Sequence, residues 1–226
     1  MAKTYSIAID GPAGAGKSTM AKRLAKELGY MYVDTGAIYR TVAYFFDLWG
    51  VSPKDIDNIT RYIDELTINI EYDEDGLQHM IMNGMDVTND IRTPEISKKA
   101  SDVSAHAVVR EVLLDMQRDV AKQYNVIMDG RDIGTVVLPK ADVKIFLTAS
   151  AEVRAQRRTA ELQAKGEKAD YNQILKAIQD RDYQDSHRAI APLKQAHDAV
   201  LVDTSALDID GVVAAIMDVV RKKIAV

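Results

Sequence analysis

The sequence predicts an α/β fold: a doubly wound parallel sheet with a small antiparallel β insertion. Three observations predict it. Short apolar strands alternate with helical segments along most of the 226 residues. A glycine-rich loop follows the first strand directly, at the strand's carboxyl end, where such sheets bind ligands. One stretch, near residues 67–87, breaks the rhythm: it alternates apolar and polar residues around turn signals, as an antiparallel hairpin does.

Residues 5–10 form the first strand. Gly11-Pro12-Ala13-Gly14-Ala15-Gly16-Lys17-Ser18 then matches G-x-x-x-x-G-K-S, a phosphate-binding P-loop. Its glycines let backbone N–H groups turn inward around an anion. Lys17 supplies a point charge for β- and γ-phosphates, and the Ser18 hydroxyl suits Mg²⁺. Residues 19–28 are helical, so a helix N-terminus points at the same anion. A glycine-rich turn without a ligand is the alternative, and the strand–loop–helix context argues against it.

Residues 31–33 form a second strand, which ends in Asp34-Thr35-Gly36, and a helix carrying Tyr39, Val42, Ala43 and Phe46 follows. Parallel strands end on one side, so Thr35 and Arg40 should face the P-loop rim and suit a second phosphate. A helix N-cap at Thr35 and a surface Arg40 explain the same spacing. Residues 67–72 and 78–82 form the hairpin, turning at Asp73-Glu74-Asp75-Gly76, and Asn83-Gly84 marks a further turn. Helices lie near 94–105 and 108–123.

Residues 126–128 are a buried-type strand ending in Asp129-Gly130-Arg131-Asp132. An Asp there can hold Mg²⁺ through water, as in a Walker B strand; an ordinary Asp-Gly turn is the other reading. A strand at 143–147 precedes two Arg-rich helices at 151–165 and 171–188. Arg154, Arg157 and Arg158 stand at i, i+3, i+4 and share a face. That face is either solvated or a lid closing on triphosphate, with Lys165-Gly166-Glu167 as its tip. Arg181, Asp185 and Arg188 share another face, with Asp182 turned away by one residue. They form either an intrahelical salt-bridge ladder or part of a site. A strand at 199–202 and a helix at 209–223 complete the chain.

Composition narrows the function classes. A net charge of −5 provides no global basic field for nucleic acid or anionic membrane, so anion binding must come from local Arg and Lys clusters. The absence of Cys excludes disulfides and thiolate chemistry, as expected of a cytoplasmic protein. Four scattered His argue against structural zinc. The start lacks a signal-peptide pattern, and no apolar run approaches a membrane span.

Together these segments resemble the bacterial cytidylate kinases, of the nucleoside-monophosphate kinase family. The likeness rests on IDGPAGAGKST at 9–19, DTGAIYR at 34–40, IRTPE at 91–95, DGRDIGTVV at 129–137, KIFLTAS at 144–150 and RDYQDSHRAIAPL at 181–193. It implies one P-loop kinase domain over 1–226. A nucleoside-monophosphate-binding subdomain is inserted at about 36–105, with its antiparallel strands at about 67–87, and a lid at about 151–170.

The resemblance also implies roles. Gly11 through Thr19 would bind ATP, with Mg²⁺ held by Ser18, phosphates and water. Thr35, Arg40, Arg131 and Arg188 would hold the α-phosphate of the acceptor. Ser101, Arg110 and Asp132 would read cytosine, Arg181 and Asp185 would bind the sugar, and Asp129 would join the substrate-binding set. Lys17, Arg131, Arg188 and the lid arginines 154, 157 and 158 would be catalytic. The implied reaction passes the γ-phosphoryl of ATP to CMP or dCMP, in a cytoplasmic monomer without nucleic-acid or membrane partners.

Overall fold

A computed structural model describes residues 3–74 and 76–224. Asp75, within the expected turn at 73–76, lies outside the described residues. In chain order the elements are β1 (Ser6–Asp10), α1 (Lys17–Leu28), β2 (Met31–Asp34), α2 (Thr35–Leu48), α3 (Ile56–Tyr62), β3 (Ile68–Tyr72), β4 (Gln78–Met82) and β5 (Met85–Asp86). Then come α4 (Pro94–Val103), α5 (Ala107–Gln123), β6 (Val126–Gly130), β7 (Val143–Thr148), α6 (Ala151–Ala164), α7 (Tyr171–His187), β8 (Val200–Asp203) and α8 (Ile209–Lys223). The short α3 and β5 carry too little periodicity to stand out in the sequence.

Five strands form a parallel sheet in the order β2-β6-β1-β7-β8, the doubly wound arrangement expected. Its central strands are mainly apolar because both faces are covered. Phe45, Phe46 and Ile38 of α2 fill one side with Val109 and Leu113 of α5. Leu24 of α1 and Ile216 of α8 fill the other. Asp10 pairs in register with Gly130, and Asp34 with Asp129, so β1, β6 and β2 end level with one another. The loops after these three strands therefore share one edge.

The insertion is a three-stranded antiparallel sheet, β3-β4-β5, in which Ile68 pairs with Met82 and Tyr72 with Gln78. Gln78, Met80 and Met82 point inward along β4, and the two methionines join the α2 cluster.

Two glycines in the first loop are structurally compelled. Gly11 has φ +148°, and a Cβ there would lie 1.9 Å from the Leu147 carbonyl oxygen. Gly16 has φ +90° and is the N-cap of α1, which starts at Lys17 rather than at the expected Thr19. Lys17 and Ser18 thus stand in the first helical turn, where unpaired N–H groups are concentrated.

Candidate active site

Asp129, at the end of β6, organises the P-loop side. Its Oδ2 accepts from Ser18 Oγ at 2.8 Å and its Oδ1 from the Tyr32 hydroxyl at 3.0 Å. Its carbonyl accepts from Thr35 Oγ1 at 2.7 Å. Lys17 Nζ donates to the Pro12 carbonyl at 2.9 Å. Both charged groups are buried. Burial pushes Asp129 up, and the neighbouring Asp34 charge adds to this. Burial likewise pushes Lys17 down, helped by the Arg131 guanidinium. A polyphosphate arriving at this loop would favour the charged form of Lys17.

Thr35 is not the cap of α2. Asp34 is: its Oδ1 accepts from the Ala37 N–H at 2.9 Å, and its Oδ2 accepts from Arg40 Nη2 at 3.0 Å. Because the helix starts one residue early, the Thr35 hydroxyl is free to turn toward β6.

Beside the P-loop lies a cleft of about 230 Å³ into which β2, α2, α4, α5, β6 and α7 all send side chains. Lys17, Arg40, Arg110, Arg131, Arg181 and Arg188 line it against four carboxylates, Asp34, Asp129, Asp132 and Asp185. The cleft is therefore locally cationic in a net acidic chain, and Ser18, Thr35 and Ser101 line it too.

The charges fall into groups. Buried Asp132 forms an ion pair with Arg110, and its Oδ1 lies 3.3 Å from Arg188 Nη2. Burial raises the Asp132 pKa, while Arg110 and Arg188 oppose the rise. Arg110 and Arg188 both also reach Ser104, through its carbonyl at 3.3 Å and its hydroxyl at 3.2 Å. Asp185 accepts from Arg131 Nε at 2.8 Å and from Ser101 Oγ at 3.4 Å.

Arg181 makes no side-chain hydrogen bond or ion pair among the described residues, and its buried Nε has no partner. Burial lowers its pKa, and the nearby Arg131 and Arg40 charges add to this. The buried Arg40 Nε is likewise unpartnered. The placement thus groups Arg181 with Arg40 and Arg131, and Arg188 with the Arg110–Asp132 pair. The resemblance divided the same arginines differently, giving Arg188 to the phosphate and Arg181 to the sugar.

The three arginines of α6 do not converge. Arg154 is buried over the P-loop. It donates to the Ala13 carbonyl at 3.0 Å and to the Ala149 carbonyl at 2.9 Å, and forms a two-pronged pair with Asp182 at 3.1 and 2.6 Å. Arg157 instead donates to Thr204, to its Oγ1 at 3.0 Å and its carbonyl at 2.6 Å. Arg158 pairs with Glu161 at 2.8 Å on the surface. Helical spacing aligns their stems, but different acceptors draw the heads apart. Asp182, which the spacing turns away from Asp185, faces α6 for the same reason.

Sequence reasoning missed Asp10. This buried carboxylate accepts from the Ile133 and Gly134 N–H groups, both at 2.7 Å. It thereby clamps the strand before the P-loop to the π-helical turn Ile133–Val137, directly after Asp132. An acid closing an otherwise apolar strand was the available signal.

Burial raises Asp10 to about 6, against those two hydrogen bonds. A carboxyl whose folded pKa exceeds its unfolded value holds its proton more tightly when folded. Its stabilising contribution is full below about 3.8 and is lost as pH rises through about 6. Asp129 shifts in the same direction. The urea midpoint of the ligand-free protein should therefore be higher near pH 5 than near pH 7, with a smaller fall in Asp10→Asn. A midpoint that is flat or rises over that interval in the unmodified protein would refute this assignment.

A phosphate loop on the central strand of a doubly wound parallel sheet, beside an arginine-lined cleft, defines a P-loop kinase. A family model described as cytidylate kinase matches residues 7–222. A cytidylate kinase from Lactobacillus johnsonii is 51% identical over 217 residues, covering 96% of this chain and 94% of that protein. One from Caldicellulosiruptor bescii is 50% identical, covering 97% of each. The chain belongs to the cytidylate kinase family. Among solved structures, TT1252 from Thermus thermophilus aligns over 100% of both chains with a TM-score of 0.50 at 15% identity, a likeness of fold alone.

Proposed function

We propose that this chain transfers the γ-phosphoryl group of ATP to CMP or dCMP, giving ADP and CDP or dCDP. The observation that carries the reading is the Arg110–Asp132–Arg188 cluster, which lines the same cleft as Lys17 and Ser18 of the P-loop. Cytosine presents an amino donor beside ring acceptors. A carboxylate held between two guanidiniums offers the complementary acceptor and donors. Uracil would place O4 against the carboxylate, so discrimination can be large.

The remaining residues divide between donor and acceptor. Residues 11–19 would hold the ATP phosphates, with Arg154 over the loop. Arg40, Arg131, Arg181 and Thr35 would meet the acceptor phosphate, Asp185 the sugar, and Ser101 the base. The acceptor phosphate is already ionised at neutral pH, so no strong general base is required. Alignment and charge neutralisation would carry the rate.

Mg²⁺ suits the oxygen donors at Ser18 and Asp129, since hydroxyl and carboxylate are hard ligands. No cluster of three or more acidic or histidine side chains for a metal occurs among the described residues, so phosphates and water would complete its shell. Bound there, it would neutralise charge on the β- and γ-phosphates.

The inserted segment at about 36–105 would carry the acceptor side, and 151–170 would close over the donor. Among the described residues, no helix is long and apolar enough to cross a membrane. A cytoplasmic monomer without nucleic-acid partners suits the family reading and the net charge of −5.

An acceptor panel with ATP tests the proposal. CMP and dCMP should be turned over well above UMP, AMP and shikimate. Faster turnover of any of those three would overturn it.

A further inference from the structure

Among the described residues, β2 is an edge strand with no strand hydrogen-bonded to its outer side. Edge strands leave N–H and C=O groups unpaired. Here side chains of the insertion take their place. The Tyr72 hydroxyl donates to the Tyr32 carbonyl at 2.9 Å. The Asp34 N–H donates to Gln78 Oε1 at 2.7 Å, and Gln78 Nε2 lies 3.4 Å from the Asp34 carbonyl. An N–H can only donate, which settles which end of the amide faces it.

Gln78 is the polar member of an inward row completed by Met80 and Met82, and it is only 8% exposed. Burying a primary amide among methionines is costly unless its hydrogen bonds are made. Two of its contacts go to one residue, Asp34. That residue caps α2 and holds Arg40. The pair is tightly enclosed: a Cβ on Gly36 would lie 3.0 Å from Arg40 Nη1 and 3.1 Å from Asp34 Oδ1. Little slack remains between the Asp34 backbone and the Arg40 guanidinium.

We infer that Gln78 is a positioning residue for the acceptor side of the cleft: by fixing Asp34 from outside the sheet, it aims Arg40 into the cleft. The insertion thus acts on the site through one amide as well as through packing. The inference rests on the placement of Arg40 at the acceptor phosphate, and the test separates the two.

Steady-state kinetics with CMP and ATP should be measured for Gln78→Met, Arg40→Met, the double variant and Tyr72→Phe. Gln78→Met keeps length and loses both contacts to Asp34. Its KM for CMP should rise roughly five- to tenfold, with KM for ATP nearly unchanged. Because Gln78 acts through Arg40, the double variant should be no worse than Arg40→Met alone. Tyr72→Phe removes an edge bond at Tyr32 and should leave KM for CMP unchanged. In the unmodified protein the Asp34 amide should exchange slowly with solvent, and more slowly still with CMP but not with ATP alone.

An unchanged KM for CMP in Gln78→Met, alongside a raised one in Arg40→Met, overturns the inference and leaves the acceptor reading intact. Equal rises in both KM values, additive losses in the double variant, or fast Asp34 exchange also overturn it. An Arg40→Met enzyme with normal CMP kinetics instead overturns the placement of Arg40.

Discussion

Lys17→Met should lower kcat by roughly 10²- to 10³-fold while leaving CMP binding almost untouched. Lys17 is buried at the start of α1, and among the described residues its ammonium has one hydrogen bond, to the Pro12 carbonyl. Methionine matches its length and suits the buried surroundings, so the loop should persist and the urea midpoint should change little. What disappears is a cation whose charge burial disfavours and whose charged form a polyphosphate would favour. Its attraction to phosphate should be greatest as charge shifts toward the β–γ bridge, so the loss belongs in kcat. Single-turnover measurements with saturating ATP and Mg²⁺ read this directly. A rise in KM for ATP with kcat retained would reduce Lys17 to a ground-state binding residue.

The second large effect concerns base choice. In Asp132→Asn the ratio of kcat/KM for CMP to that for UMP should collapse by about 10²-fold or more. Asp132 offers only acceptors, whereas Asn can turn an N–H toward uracil O4. CMP turnover should fall and UMP turnover rise. The substitution also leaves Arg110 and Arg188 without their shared counter-charge, so overall stability should fall. The ratio cancels any loss common to both substrates, which is why it is the quantity to measure. An unchanged ratio would place base recognition on Ser101 or Arg110 instead.

Much of the site was legible because motif residues sit where strands end. Asp129 follows an apolar strand and Thr35 follows another, and parallel pairing brings both strand ends level with the P-loop. Arg110, Ser101 and Asp185 stand on helices whose spacing says little by itself; the motif resemblance placed them, and all three line the cleft. The α6 arginines show where this reasoning stops. Periodicity describes where a side chain leaves the helix, not where a long guanidinium ends. Arg154 ends on Asp182 and the P-loop, Arg157 on Thr204, and Arg158 on Glu161.

By itself the sequence determined the phosphate loop, the alternation that makes a doubly wound sheet, the antiparallel insertion and the motifs of the cytidylate kinase family. These are local properties: a turn needs its glycines, a buried strand its apolar run, and a motif its spacing. Tertiary structure alone decided the strand order, the depressed pKa of Lys17 and the raised one of Asp129. It also decided the pairing of Arg188 with Asp132, and the capping of the β2 edge by Tyr72 and Gln78. Each depends on partners distant in the chain, as Ser18 and Asp129 are, and on burial that only the packed sheet creates. Local pattern specifies which groups are available; packing selects which of them meet.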